Sequence, residues 1–156
     1  MPTESSAQKL AKLVKTAQNK VVLINQAHSL ITDLSKVVLP PVQDIQNKYP
    51  LLYKILLECY LETSKVFYPK KIEQKYLEQI LSDLNLLEEV TFTTASTVDP
   101  LAVDDELYNW ITENVGEAAI TNCTTSNEMV GGMVISYRGR FVNLSLDKAI
   151  REKVYA

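Results

Sequence analysis

Ionisable side chains cluster at two places in this chain, and these are the first candidates for chemistry. The acidic run Asp104-Asp105-Glu106 lies in a segment with helical character, and Glu88-Glu89 forms a second acidic pair. Two carboxylates act as general acid and base, or bind a metal ion, when they face one another. Adjacent acids on a helix point in different directions. We therefore interpret both clusters as solvated faces.

The other residue types that commonly carry catalysis are scarce. The single histidine, His28, falls on an apolar stripe, which predicts a core position rather than a base or a metal ligand. Cys59 and Cys123 lie far apart and have neither metal-binding nor redox spacing, which predicts two buried thiols without a disulfide. No phosphate-binding glycine loop or nucleophile elbow is present. The sequence predicts no catalytic, cofactor or metal site.

The charge of the chain argues against a nucleic-acid partner. The 156 residues carry a formal net charge of −3 at pH 7. A protein that neutralises phosphates needs an excess of cations. All three arginines, Arg138, Arg140 and Arg151, lie near the C-terminus. Arg138 and Arg140 flank a predicted turn, where two roles stay open for them: solubility of the turn, or contact with a protein partner.

The hydrophobic period changes near Glu88-Glu89, which predicts one unit over residues 1–88 and another over 89–156. In the first, apolar residues recur at spacings of three and four, as on one face of a helix. We predict an all-α bundle of four or five helices. Residues 4–39 form either one long helix or two helices divided near Asn19-Lys20.

The same spacing predicts which residues of the helical unit face inward. Pro40-Pro41 and Pro69 are expected to end helices, and Pro50 to begin one. One stripe over the first 39 residues contains Ala7, Leu10, Val14, Ala17, Val21, Ile24, His28 and Ile31, and the stripe beside it contains Leu13, Leu23, Ala27, Leu30, Leu34 and Val37. The last helix is expected to bury Ile72, Tyr76, Leu77, Ile80, Leu81, Leu84 and Leu87.

The second unit is predicted to be a small α+β sandwich. β-branched and threonine-rich segments alternate with a helix over residues 99–116, which gives the order β-α-β-β-β-α. Strands at 131–137 and 140–144 are joined by a tight turn at Arg138-Gly139. Trp110 is expected to be a core anchor, with an interface anchor as the alternative. The residues expected to point inward are Met133, Ile135, Phe141, Leu146 and Ile150.

Three of the four glycines lie close to the C-terminus, in "MVGGMVISYRGRFVNLSLDKAIREKV". Gly139 is expected to supply the positive φ that a hairpin turn needs, and Gly131-Gly132 a sharp entry or bulge at a strand. Asn143 and Ser145 follow the hairpin, immediately before a predicted amphipathic helix.

This segment resembles the C-terminal signature of the ATP synthase delta subunit, called OSCP in mitochondria. Gly131-Gly132 matches the glycine pair that opens a strand in that family, and Gly139 matches its turn glycine. Asn143-Leu144-Ser145-Leu146 stands where the family has Asp-x-Ser-Val, so Asn143 departs from the pattern, and Arg140 replaces an acidic turn residue. The resemblance covers residues 89–156, and the preceding helical segment is shorter than the six-helix domain of the family.

The resemblance implies a non-catalytic stator connector of an F-type ATP synthase. The helical domain of the family binds N-terminal segments of α subunits, and its C-terminal domain binds the C-terminus of the peripheral-stalk b subunits. The implied location is the cytoplasmic face of the bacterial plasma membrane, or the matrix side of the mitochondrial inner membrane. The alternatives are a generic helix-binding adaptor, and a small hydrolase or transferase that uses the acids of residues 104–106.

Overall fold

The computed structural model describes residues 4–36, 42–60 and 74–154. They form two compact units. One consists of the described residues of Met1–Val14 and Gln18–Leu87, and the other of those of Lys15–Ala17 and Glu88–Ala156. Helices come first and strands follow, so the predicted α+β class is confirmed. None of the helices in the described part combines the length and the apolar character needed to cross a membrane.

The first unit contains only helices among its described residues. They are α1 (Ser6–Val14), α2 (Ala17–Leu34), α3 (Val42–Lys48), α4 (Pro50–Ile55), which continues as a π-helical turn over Leu56–Tyr60, and α5 (Gln74–Leu86). Pro50 begins α4, as predicted, because its fixed φ suits the first turn and its missing N–H has no acceptor there. The predicted stops at Pro40-Pro41 and Pro69, and the inward positions Val37 and Ile72, lie outside the described residues.

The N-terminal helical segment is broken at Lys15, whose φ of 59° lies in the left-handed region. The two helices are thus divided a few residues earlier than Asn19-Lys20. The break also changes the helical phase, so the apolar stripe of α1 does not continue along α2. Val21 and His28 are exposed, and the predicted core position of His28 is wrong. The buried face of α2 is instead Leu23, Ala27 and Leu30.

The helical core is aliphatic, and α1 packs against α5 and the π-helical turn. On α5 the predicted residues Leu77, Ile80 and Leu84 are fully buried. Asp83 is buried beside them and accepts a 2.9 Å hydrogen bond from Gln79. The buried apolar residues of this unit are Leu10, Ala11, Val14, Leu23, Ala27, Leu30, Ile45, Tyr49, Leu52, Ile55, Leu56, Leu77, Ile80, Leu84 and Leu87.

One carboxylate ties the end of α2 to the end of α3. Asp33 accepts hydrogen bonds from Lys36 Nζ at 2.8 Å, from Lys48 Nζ at 2.8 Å and from the Tyr49 hydroxyl at 2.7 Å. These donors, Lys36 first, hold the pKa of Asp33 well below its usual value. The carboxylate is the acceptor that lets Tyr49 bury its ring without leaving the hydroxyl unsatisfied.

The second unit has the predicted order β-α-β-β-β-α. Its elements are β1 (Glu88–Ala95), α6 (Pro100–Asn114), β2 (Ala119–Ser126), β3 (Met133–Tyr137), β4 (Arg140–Asn143) and α7 (Leu146–Val154). The sheet order is β2-β1-β3-β4. β1 and β2 are parallel, which requires the crossover through α6, whereas β3 pairs antiparallel with β1 and β4.

One face of this sheet packs on α6. The hydrophobic core between the sheet and α6 consists of Val90, Phe92, Tyr108, Ile111 and Ala119. Partly buried residues pack around it: Leu107, Val115, Cys123, Met133, Ile135 and Tyr137. Val90 and Phe92 share a face because alternate strand residues do. Trp110 is 41% exposed and makes an edge-to-face contact with Phe92, at 6.0 Å between ring centroids. The predicted role of Trp110 as a core anchor is therefore wrong.

Replacement of Asp33 by Asn is expected to make the free energy of unfolding fall less steeply as the pH is lowered into the acidic range. The pKa of Asp33 is depressed on folding, so its stabilising contribution is present above the unfolded pKa of about 4 and is lost as the pH falls further. Wild-type protein should therefore lose more unfolding free energy than Asp33→Asn between about pH 7 and about pH 3. Urea titrations across this range measure it, with Glu106→Gln as an exposed control. Identical acid limbs for wild type and Asp33→Asn would contradict the prediction.

Candidate functional site

The glycine pair lies directly against the chain that enters α7. The carbonyl of Gly131 accepts a 2.9 Å hydrogen bond from Leu146 N–H, and Met133 accepts another of 2.9 Å from Leu144 N–H. A Cβ on Gly131 would come within 2.7 Å of Leu146 Cδ1. A Cβ on Gly132, whose φ is +79°, would clash with backbone, 2.8 Å from Ser145 Cα. Gly132 therefore requires glycine, whereas at Gly131 the end of the flexible Leu146 side chain would have to move to make room for a Cβ.

Asn143 and Ser145 complete this junction from the other side. The Asn143 side-chain oxygen accepts a 2.9 Å hydrogen bond from Ser145 N–H. Ser145 is buried, and its hydroxyl accepts a long 3.4 Å bond from Lys148 N–H in the first turn of α7. Asp147 accepts from Val130 N–H at 3.2 Å. These side chains satisfy backbone donors at the start of the helix, so Asn143 and Ser145 act as capping residues.

Gly139 lies at the opposite end of the hairpin from Gly131, Gly132, Asn143 and Ser145. The turn has φ of 48° at Arg138 and 73° at Gly139, and two positive values in succession are typical of a type I′ turn. The predicted positive φ of Gly139 is confirmed. A Cβ there would meet nothing within 4 Å, so the backbone conformation alone favours glycine.

Arg138 is paired within the second unit, although its side chain is 69% exposed. Glu88 accepts hydrogen bonds from the Tyr137 hydroxyl and from the Arg138 guanidinium, which lies 5.2 Å from the centroid of the Tyr137 ring. These two donors, Tyr137 first, lower the pKa of Glu88. The contact ties the hairpin turn to the first residue of β1. Arg140, in contrast, has no ion pair within the described part of the chain.

Phe141, Leu146 and Ile150 do not point inward, so this part of the prediction is wrong. The two-residue turn pairs Ile135 with Val142 and Ser136 with Phe141. Residues opposite one another share a face, so Phe141 lies on the face away from α6. Phe141 is 74% exposed, Leu146 51% and Ile150 52%, and α7 buries no residue. Met133 and Ile135 pack on the core as predicted.

We call the exposed apolar residues of α7, together with Phe141 of β4, the terminal surface. They are Phe141, Leu146, Ile150 and Val154. Three of them, Leu146, Ile150 and Val154, recur every four residues and so share one side of α7. Exposed apolar sets of this kind mark interaction sites more often than single exposed residues do.

Cations dominate the charged side of α7. Lys148 is 3.7 Å from Glu152, and Asp147 is engaged by Val130 N–H. Arg151 and Lys153 make no ion pair with any described residue, so they leave positive charge beside the apolar stripe. A groove of about 400 Å³ lies between α7 and the sheet end, lined by residues that include Ser126, Val134, Asn143, Lys148, Arg151 and Glu152.

Two acids of the run on α6, Asp104 and Asp105, make contacts within the unit. Asp104 Oδ1 accepts from the Cys123 thiol at 3.3 Å, and Asp105 Oδ1 is 3.1 Å from Lys15 Nζ. Burial and the neighbouring Asp104 raise the pKa of Cys123 to about 12, so its thiol is protonated at neutral pH and is a poor nucleophile. Cys59 and Cys123 are half-buried rather than buried, and neither is in a disulfide.

The described ranges 4–36, 42–60 and 74–154 contain no cluster of three His, Cys, Asp or Glu side chains that could hold a metal ion. Comparison with known proteins adds no family. The chain matches no protein-family model, and no curated protein is significantly similar to it.

Alanine at Gly132 is expected to destabilise the protein more than alanine at any other glycine with positive φ. Gly132→Ala adds both backbone strain and a clash with the chain at Ser145, and should cost about 2–4 kcal/mol of unfolding free energy. Gly139→Ala adds strain alone and should cost about 1 kcal/mol. Gly116→Ala, where φ is 157° and a Cβ meets nothing within 4 Å, is a second position with backbone strain alone and should also cost less than Gly132→Ala. Urea denaturation measures all three, and equal costs at Gly132 and Gly139 would contradict the proposed close approach.

Proposed function

We propose that the chain is a non-catalytic stator connector of an F-type ATP synthase. It links the α/β catalytic head to the peripheral-stalk b subunits during rotary, proton-driven ATP synthesis. The observation that carries the proposal is the terminal surface. A connector holds its partners through contacts rather than chemistry, and apolar side chains left in water on β4 and α7 supply contact area.

The residues that resemble the delta-subunit signature support the proposal indirectly, because they position the helix that carries the terminal surface. Gly131, Gly132, Asn143 and Ser145 meet at one junction, and this junction sets the start of α7. Signature residues placed there keep α7 in a fixed attachment to the hairpin, while the apolar side of the helix remains available. A motif that fixes how a binding element is presented suits a connector better than an enzyme.

The two units suit two partners. The helical unit would take N-terminal segments of α subunits, since a helix bundle can accept an additional amphipathic helix in a groove. The second unit would take the C-terminus of b on its terminal surface. The chain would thus be peripheral to the membrane, at the cytoplasmic face of a bacterial plasma membrane or the matrix side of a mitochondrial inner membrane, through the complex.

The positive charges on α7 indicate which kind of stalk segment would bind the terminal surface. Arg151 and Lys153 lie on α7 beside Ile150 and Val154, without acidic partners among the described residues. An amphipathic helix of b with acidic residues at the margin of its apolar face complements this arrangement. Nucleic acid is not proposed as a partner, because Arg138 is engaged by Glu88 and the chain as a whole is acidic.

A generic helix-binding adaptor is the alternative function, and the same terminal surface favours it. The two proposals differ in specificity. A stator connector should prefer a b segment to unrelated amphipathic helices of equal charge and hydrophobicity, whereas a generic adaptor should bind them alike. Co-purification of the chain with the ATP synthase head and stalk would separate the two in cells.

Ile150→Asp is expected to weaken binding of a b C-terminal peptide by at least about tenfold, since burial of an isoleucine side chain contributes about 1.5–3 kcal/mol. Fluorescence anisotropy with the full-length chain measures the affinity. Leu86→Asp is the matched control, because Leu86 is an exposed apolar residue of the other unit. Equal affinities for Ile150→Asp and wild type would remove the terminal surface from the proposal.

Arg151→Glu with Lys153→Glu should also weaken binding and abolish its sensitivity to salt.

Binding of the α subunit should be independent of the terminal surface. A peptide from the α N-terminus is expected to bind the full-length chain with a dissociation constant of tens of micromolar, about 6 kcal/mol, as for a weak single-helix contact. Ile150→Asp should leave this affinity unchanged. Titration calorimetry with both peptides tests it. Absence of α-peptide binding, or loss of both affinities in Ile150→Asp, would contradict the assignment of one partner to each unit.

A further inference from the structure

The helix α7 receives no support from the core of its unit. None of its 9 residues is buried, and the apolar residues Leu146, Ile150 and Val154 are each more than half exposed. Most of the stability of a helix in a folded protein comes from packing of its apolar side, and an isolated helix shorter than about 12 to 15 residues is only marginally stable in water. Little free energy therefore holds the end of α7 in a helical conformation.

The space between α7 and the sheet is a groove of about 400 Å³ rather than a packed interface. The side chains of α7 that line it include Lys148, Arg151 and Glu152, and all three are exposed. Lys148 lies 3.7 Å from Glu152, and an exposed ion pair of this kind contributes little to stability. The groove therefore does not replace the missing core contacts.

The first turn of α7, in contrast, is attached to the hairpin. Leu146 N–H donates to the Gly131 carbonyl at 2.9 Å, and the Asp147 carboxylate accepts from Val130 N–H at 3.2 Å. Ser145, at the cap position, is buried. A fixed first turn removes the unfavourable nucleation step of helix formation, so the following turns can form as soon as a contact favours them.

We propose that the later turns of α7, residues 149–154, fold into a stable helix only when an amphipathic stalk segment covers the terminal surface. The attached first turn serves as the nucleus, and burial of Ile150 and Val154 under the partner supplies the missing stabilisation. The helix in the structure is then the conformation that the partner selects from those of the free chain. The inference deepens the proposed function and rests on it for the identity of the partner.

Coupled folding sets how tightly the terminal surface binds. Part of the interaction free energy is used to order the later turns, so the affinity depends on the helical propensity of α7 as well as on its contacts. A helix that is already stable in the free chain would bind with an affinity set by its contacts alone. This difference separates the two cases by experiment.

The first arm of the test needs no partner. Solvent-exchange rates from NMR of the full-length chain compare the amides of Ile150 to Val154 with the amide of Leu146, which donates to Gly131 in the attached turn. The later amides should exchange within about tenfold of the rate of an unstructured peptide, and the Leu146 amide at least about a hundredfold more slowly than they do. Comparable rates at the two places, fast or slow, would overturn the proposal.

The second arm changes the helical propensity of α7 and leaves its contact surface intact. Ala149 is exposed and lies away from the side of the helix that carries Ile150 and Val154. Ala149→Gly should weaken binding of the b C-terminal peptide about fivefold, because glycine disfavours the helix that binding must form. Ala102→Gly makes the same substitution at an exposed position of α6, which packs on the sheet, and should leave the affinity unaltered.

The outcomes distinguish this inference from the proposed function. Equal affinity of the b peptide for wild type and Ala149→Gly would refute coupled folding and leave the stator connector standing. The peptide should also slow exchange at Ile150 to Val154 in wild type by at least about tenfold, and binding without this change would refute coupled folding as well. Absence of peptide binding to wild type would instead refute the stator connector, and with it the partner named here, whatever the exchange rates of the free chain.

Discussion

The backbone at Gly132 passes so close to the chain at Leu144–Leu146 that no side chain fits between them. The presentation of α7 in the second unit depends on this contact. It fixes where the hairpin returns, supplies a carbonyl to the first residue of α7, and brings Asn143 and Ser145 to the donors they cap. Because the attachment is through backbone and capping bonds, α7 is held without burying its apolar side. The exposure of the apolar side of α7 therefore does not depend on how the core packs.

The order of the elements and the positive φ of Gly139 were within reach of the sequence, because turn glycines, strand alternation and the hairpin at Arg138-Gly139 are local features. The error at Phe141 was avoidable. A two-residue turn pairs residues of opposite parity, so Phe141 cannot share the face of Ile135. The exposure of Leu146 and Ile150 was not predictable in this way, since an amphipathic pattern shows that a helix has an apolar side without showing what covers it.

Long-range contacts explain the other differences. The break at Lys15 has no sequence signal, and His28 was misplaced because the stripe of α1 was extended across it. The acids of residues 104–106 first suggest chemistry, yet Asp104 meets Cys123 and Asp105 meets Lys15, a partner ninety positions away. Such pairings depend on the assembled fold. The sequence alone therefore indicates the glycines of the candidate site. It does not indicate the terminal surface beside them.

The position of β4 has a consequence for the solution behaviour of the free protein. As an edge strand it has a hydrogen-bonding neighbour on one side only, so the backbone groups of its outer side are open to any other strand that approaches. Arg140 is the single charge within β4 that opposes such pairing, whereas Phe141 and Val142 favour it. Self-association by sheet extension, rather than unfolding, should limit the concentration at which the chain stays dispersed.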